Sequence, residues 1–278
     1  MPPSPAAPLP VVLVHGGSHG AWCWDPMLPF LDGPVLAVDL PPKALRRGGM
    51  DAADPASVAQ LAALKIADLA ESIIADVDAA GFARFVLVGH SMAGLSLPEV
   101  ARRIPDRVVH LVFVSASIPP EGGCVIDTLP EEVREFTREA VARAEEGALG
   151  SAGVLDDETA RFMFCNDMDE EQTRFVLDRL GPESVSLISE TVSRAGVPPE
   201  LPKTYVRLSR DQSLPPDTQS AMIANLEASP GGTVEVFELD SGHNVMVSHP
   251  AELAAVVARI AAGHGSAQDD GSRSTSPG

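Results

Sequence analysis

Phe85-Val86-Leu87-Val88-Gly89-His90-Ser91-Met92-Ala93-Gly94 is an apolar run that ends in a turn of small residues with a serine at its apex. The continuous apolar part reads as a strand covered on both faces. Gly89 and Ala93 flank Ser91 at two-residue spacing, and a strand-to-helix turn this tight needs small side chains where other backbone passes close. Such a turn, a nucleophile elbow, lifts one hydroxyl above the C-terminal edge of a parallel sheet. A helix is expected to begin directly after the serine, with its free N–H groups directed back at the reacting centre. The strict pattern is Gly-x-Ser-x-Gly; here Ala93 takes the second small position and Gly94 follows. The plainer alternative is a buried serine in a strand–helix turn, and the rest of the chain decides between them.

Working outward, β-branched or apolar runs occur at 11–14, 35–38, 85–88, 111–114, 204–208 and 234–239. Between most of them lie stretches with the i, i+3, i+4 pattern of amphipathic helices, notably 57–80 and 251–262. Alternating strands and helices predict an α/β, doubly wound, mostly parallel six-stranded sheet. The rhythm breaks between Ser117 and Leu201, where the chain is acidic and helix-rich: 131–146, 157–163, 169–180 and 182–193, with no convincing strand. We read 118–200 as a helical cap inserted after the fourth strand, over the C-terminal edge of the sheet. Pro-rich flanks, Pro119-Pro120 and Pro198-Pro199, suit its boundaries. The core is then 10–117 and 201–263, and the tails 1–9 and 264–278 are expected to be irregular or disordered.

Composition excludes several classes. With 39 acidic against 20 basic residues the formal charge is −19, which opposes nucleic acid or anionic lipid as a partner. Hydrophobic residues make up 45% of the chain and aromatics only 4%, so the core is expected to be aliphatic. Cys23, Cys124 and Cys165 are too few and too scattered for a disulfide framework or a zinc site. No apolar stretch is long enough to span a bilayer, and the N-terminus lacks the basic and apolar regions of a signal peptide. These features predict a cytoplasmic protein without metal, compatible with a homodimer.

A serine hydroxyl needs a base to take its proton and a third group to orient that base. Asp211 follows the strand at 204–208, and His243 follows the strand at 234–239 in Ser241-Gly242-His243. The order Ser91, Asp211, His243 places each residue just beyond the C-terminal end of a strand, where sites of open α/β sheets form. Asp240 reads as a turn residue and Asp39 as a pocket-rim carboxylate, so both are weaker acids for the role. His90 is expected to pack or bond locally; His110, His249 and His264 look peripheral. Acyl transfer also builds negative charge on the former carbonyl oxygen, which two backbone N–H groups can stabilise. Met92 is the candidate for one, and the His15-Gly16-Gly17 loop for the other, with His15 itself bracing the loop. Candidate pocket residues are Gly16, Trp22, His90, Phe162, Met163, Phe164 and Asn244.

The stretch Val11-Val12-Leu13-Val14-His15-Gly16-Gly17-Ser18-His19-Gly20-Ala21-Trp22, the elbow and Gly242-His243 together resemble the α/β-hydrolase superfamily. More narrowly they resemble the branch of plant methyl esterases and hydroxynitrile lyases, with bacterial esterases and pyrethroid-hydrolase-like relatives. The likeness covers roughly 10–262, is strongest in the sheet core and absent in the cap. It implies a lid-covered apolar pocket, no cofactor, and Gly17 as the second oxyanion donor. Cyanohydrin-cleaving members carry a lysine directly after the catalytic histidine; here that position is Asn244. The resemblance therefore implies a serine esterase acting on a small-molecule carboxylic ester. A lyase or cyclase using the same three residues is the alternative, and a non-catalytic receptor on the same fold the third.

Overall fold

Strands form where the β-branched runs stand. A computed structural model describes residues 8–43, 55–146, 152–153, 155–229 and 231–265. Its sheet contains β1 (Val11–Val14), β2 (Val35–Val38), β3 (Phe85–His90), β4 (Val108–Val114), β5 (Lys203–Leu208) and β6 (Glu235–Leu239). The order is β2-β1-β3-β4-β5-β6 and every pairing is parallel. The site-bearing strand β3 thus lies in the interior of the sheet, between β1 and β4.

Successive side chains of a strand face opposite ways, so a parallel sheet covered on both sides needs two cores. Val12, Val14, Phe85, Leu87, Leu111 and Phe113 point into one, packed against helix α2 (Ile66–Ala79) and helix α3 (Leu97–Arg103). Val11, Leu13, Val86, Val88, Val112 and Val114 point into the other. There they meet Trp24 and the last helix, which supplies Leu253, Val257 and Ile260. β6 is different: it is an edge strand with exposed Glu235 and Glu238, charges that discourage further strand pairing.

Several expectations need correction. The helix expected over 57–80 is two helices, α1 (Pro55–Ala63) and α2. Lys65 breaks it by adopting an extended backbone and capping α2, its N–H bonded to Asp68 at 2.9 Å. The segment 182–193 is not a helix. Glu183–Ser184 pairs antiparallel with Ala152–Gly153, and a 3₁₀ turn follows over Ser186–Ile188. The inserted segment therefore contains a short strand pair besides α4 (Glu131–Glu146), α5 (Asp157–Phe164) and α6 (Glu170–Leu177). After β5 come α7 (Pro216–Glu227), and after β6 α8 (Val245–Ser248) and α9 (Pro250–Gly265). α9 carries His264 and Gly265, two residues expected in the irregular tail; 1–7 and 266–278 lie outside the described residues. No helix among the described residues is long and apolar enough to cross a membrane.

Candidate active site

Ser91 follows the last residue of β3 and has φ +54°, the left-handed region that L side chains avoid. Holding a non-glycine residue there costs about 1–2 kcal/mol. The surroundings impose it. Ser117 N–H donates to Ser91 C=O at 3.0 Å, and the neighbours leave no room to relax. A Cβ on Gly89 would meet Leu97 at 2.6 Å, and one on Gly94 would meet the Ser117 carbonyl oxygen at 2.5 Å. Gly94, one place beyond the strict pattern, is thus the residue whose smallness this turn demands, while Ala93 is accommodated in the core. The helix expected directly after the serine is a 3₁₀ turn, Ser91–Leu95, and α3 starts only at Leu97.

Asp211 and His243 are both buried, with His243 Nδ1 2.6 Å from Asp211 Oδ2. Ser115 Oγ–H donates to the same oxygen at 2.6 Å. The other oxygen accepts the N–H groups of Ser213 and Leu214 at 2.7 and 2.8 Å. Burial works against the charged carboxylate, but His243, Ser115 and the Leu214 N–H outweigh it and hold the carboxyl below its ordinary range. Since an ionised carboxylate only accepts, Nδ1 of His243 carries the proton and Nε2 is left as the acceptor. Nε2 is buried and has no hydrogen-bond partner among the described residues, so no such bond joins it to Ser91 Oγ. The ring centroid of His90, the residue before Ser91, is 4.5 Å from that of His243. His90 does not bond locally: its Nε2 donates across the site to His243 C=O at 3.0 Å. Burial, above all, pushes its pKa well below the usual imidazole value, so it stays neutral.

The loop after β1 is braced peptide by peptide. Leu40 N–H donates to His15 Nε2 at 3.0 Å, so His15 Nδ1 carries the proton and donates to Gly16 C=O at 2.7 Å. In a trans peptide the Gly17 N–H then points the opposite way, away from His15. The next peptide is held on both ends. Its Gly17 C=O accepts from His19 Nδ1 at 2.7 Å, and its Ser18 N–H donates to Glu183 Oε2 at 2.8 Å. His19 in turn accepts at Nε2 from the Asn244 amide at 3.0 Å. A cavity of about 10 Å³, room for roughly one water, lies beside this loop. Gly16, Gly17, Met92 and Glu183 line it together with Leu40, Leu69, Leu95 and Leu187.

Of the aromatic candidates, Phe164 stacks on His243 at 5.5 Å and Trp22 stacks on His19 at 5.4 Å. Met163 is half-buried and packs into the second core. Phe162 is 61% exposed and lines nothing at the site, because it projects from the outer face of α5. Asp240 is a surface turn residue paired with Arg210 at 3.0 Å, and Asp39 accepts the Ala21 N–H at 2.8 Å, bracing the loop after β1. Sequence reasoning missed Asn166, Asp167 and Glu183, which reach the site from the insert. Asn166 and Asp167 lie in the short link between α5 and α6 and Glu183 on a two-residue strand, segments too short to carry periodicity, so nothing in the sequence marked them.

A model of the alpha/beta hydrolase family matches residues 11–256. Methylesterase 7 of Arabidopsis thaliana is 27% identical over 268 residues, which cover 90% of this chain and 95% of that protein. Esterase PIR7B of Oryza sativa subsp. japonica is 29% identical over 271 residues, covering 90% and 94%. Among solved structures, an extracellular alpha/beta-hydrolase from a Paenibacillus species superposes with a TM-score of 0.72 at 20% identity, over 91% of this chain and 99% of that one. A pyrethroid hydrolase from Sphingobium faniae superposes with a TM-score of 0.67 at 23% identity, over 91% and 97%.

Proposed function

The chain belongs to the alpha/beta hydrolase family, and from that premise we propose that it is a serine hydrolase of carboxylic esters. Ser91 is the nucleophile, His243 the base and Asp211 its orienting acid. Gly17 and Met92 supply the oxyanion N–H groups. The observation that carries this is the buried His243–Asp211 pair at 2.6 Å: its Nε2 is without a partner among the described residues, and His90, the neighbour of the left-handed Ser91, bonds the same histidine. The likeness to methylesterases and other esterases over nine-tenths of the chain points the same way.

His243 Nε2 takes the Ser91 proton as Oγ attacks the ester carbonyl carbon, and Asp211 stabilises the imidazolium without taking the proton. Hydrogen bonds of this kind tighten when substrate is bound. The oxyanion lies against the Gly17 and Met92 N–H groups; one such donor is worth about 3–4 kcal/mol in the transition state. The tetrahedral intermediate collapses, and the alcohol leaves with the proton from His243. Water, deprotonated by His243, then attacks the acyl-enzyme and releases the acid. Asn244, occupied with His19, offers no cation to a departing cyanide, which disfavours the lyase alternative. In this reading 10–117 and 201–263 form the hydrolase core and 118–200 the cap. The buried free thiols Cys23, Cys124 and Cys165 suit a reducing cytoplasm. Ser91→Ala is expected to abolish turnover of a p-nitrophenyl acyl ester while leaving the thermal melt intact; a fully active variant would refute the nucleophile.

A further inference from the structure

The loop that carries His243 is held from two sides. The core holds its carbonyl through His90. The insert holds the Ser241–Gly242 peptide: Asp167 Oδ2 accepts the Gly242 N–H at 2.6 Å and the Ser241 hydroxyl at 3.1 Å. Asp167 has a side chain with 0% exposure, and the Arg210 guanidinium and the His249 ring stand 3.8 and 3.6 Å away. A carboxylate this far from water needs hydrogen bonds in return. Those it receives among the described residues come from Ser241 and Gly242, and its Oδ1 is buried without a partner. The contact is close: a Cβ on Gly242 would fall 2.5 Å from Asn166 Oδ1 and 2.6 Å from Asp167 Oδ1, and would displace those side chains. Asn166 meanwhile donates to the carbonyl of Arg210, the residue before Asp211, at 2.8 Å. Phe164, two residues earlier, stacks on the imidazole itself.

One short stretch of the insert, 164–167, therefore touches the ring of His243, the Ser241–Gly242 peptide and the Arg210–Asp211 peptide. We infer that Asp167 is a positioning residue for the proposed hydrolysis: by accepting the Gly242 N–H it sets the imidazole against Asp211, and the proton relay is complete only while the insert is seated on the core. The inference rests on His243 and Asp211 acting as base and orienting acid. Asp167 touches neither substrate nor reacting atoms, and it acts through backbone.

The test uses the full chain and two readouts. The far-downfield proton resonance of His243 Nδ1–H, assigned by its loss in His243→Ala, reports the bond to Asp211. Steady-state kinetics on a p-nitrophenyl ester report the relay. Asp167→Ala is expected to shift or erase the resonance and to lower kcat about 10²-fold, the scale of a misplaced catalytic group, with KM little changed. Asp167→Asn keeps an acceptor for the Gly242 N–H and is expected to restore both. Asp167→Leu fills the same buried space without an acceptor and carries the expectation of the alanine variant if that one fails to fold. A folded Ala or Leu variant that keeps both resonance and kcat overturns the proposal, as does an Asn variant as impaired as they are. The resonance does not depend on Ser91, so failure of the hydrolytic reading would appear in Ser91→Ala and leave this measurement standing.

Discussion

Replacing Asp211 by asparagine is the most informative single change, because the structure dictates which way the new amide turns. Asp211 Oδ1 accepts two backbone N–H groups, from Ser213 and Leu214 at 2.7 and 2.8 Å. An amide NH₂ placed there would face two donors, so the NH₂ must take the Oδ2 position. That position faces His243 Nδ1 and the Ser115 hydroxyl, both at 2.6 Å. The hydroxyl can rotate and accept. The imidazole can accept at Nδ1 only by moving its proton to Nε2, the atom proposed to receive the proton of Ser91. The shape of the site survives while the base is lost. A tautomer reversal of this kind costs about 10⁴-fold in kcat, equivalent to about 5.5 kcal/mol of barrier. The assay is hydrolysis of a p-nitrophenyl ester under saturating substrate, with a thermal melt alongside to show that the fold persists. Activity within about tenfold of the parent, roughly 1.4 kcal/mol, would refute the assigned direction of the His243–Asp211 hydrogen bond and with it the role of Nε2.

Other perturbations follow from the same geometry. Ser91→Gly removes the left-handed strain and is expected to raise stability by about 1 kcal/mol, a gain of about 2–4 °C in Tm by calorimetry, while abolishing turnover; an unchanged or lower Tm would contradict the strain. Gly94→Ala drives a Cβ to 2.5 Å from a backbone oxygen and should lower stability by about 1–3 kcal/mol in chemical denaturation, with activity falling as the elbow shifts. The Asp211 carboxyl is held below its unfolded value of about 3.9, so its stabilising contribution is complete above that pH and disappears as pH falls through the lower folded value. The Tm difference between the parent and Asp211→Asn should therefore narrow on acidification below about pH 4, measured by circular dichroism; a gap that widens there would reverse the sign of the shift.

Much of the fold was legible in advance because a parallel sheet leaves a strong imprint. β1 and β3 are continuous apolar runs, and their residues alternate between two cores as the pleat requires. β6 was legible for a different reason, its β-branched and aromatic residues, although it is an edge strand. Ser91, Asp211 and His243, proposed to carry the chemistry, were legible because each follows a strand in a fixed order. Lost from view were the breaks and the insert. Lys65 ends one helix and caps the next through Asp68, a local contest that periodicity overlooks. The 182–193 stretch has helical spacing, but its backbone pairs with Ala152–Gly153 and, at Val192, donates to the Gly123 carbonyl at 2.9 Å. Asp167 and Glu183 act by bonding backbone groups 75 and 165 residues away in sequence. Such partners are set by how the insert docks, and no pattern in the chain announces them.

The proposed hydrolysis passes through a covalent acyl group on one serine. It is tested most directly by quenching the enzyme during turnover of a slowly deacylating p-nitrophenyl ester and mapping the added acyl mass by peptide mass spectrometry. One acyl group is expected on the peptide containing Ser91, absent from Ser91→Ala. Turnover that proceeds with no adduct at that position, or with the acyl group on another residue, would contradict it.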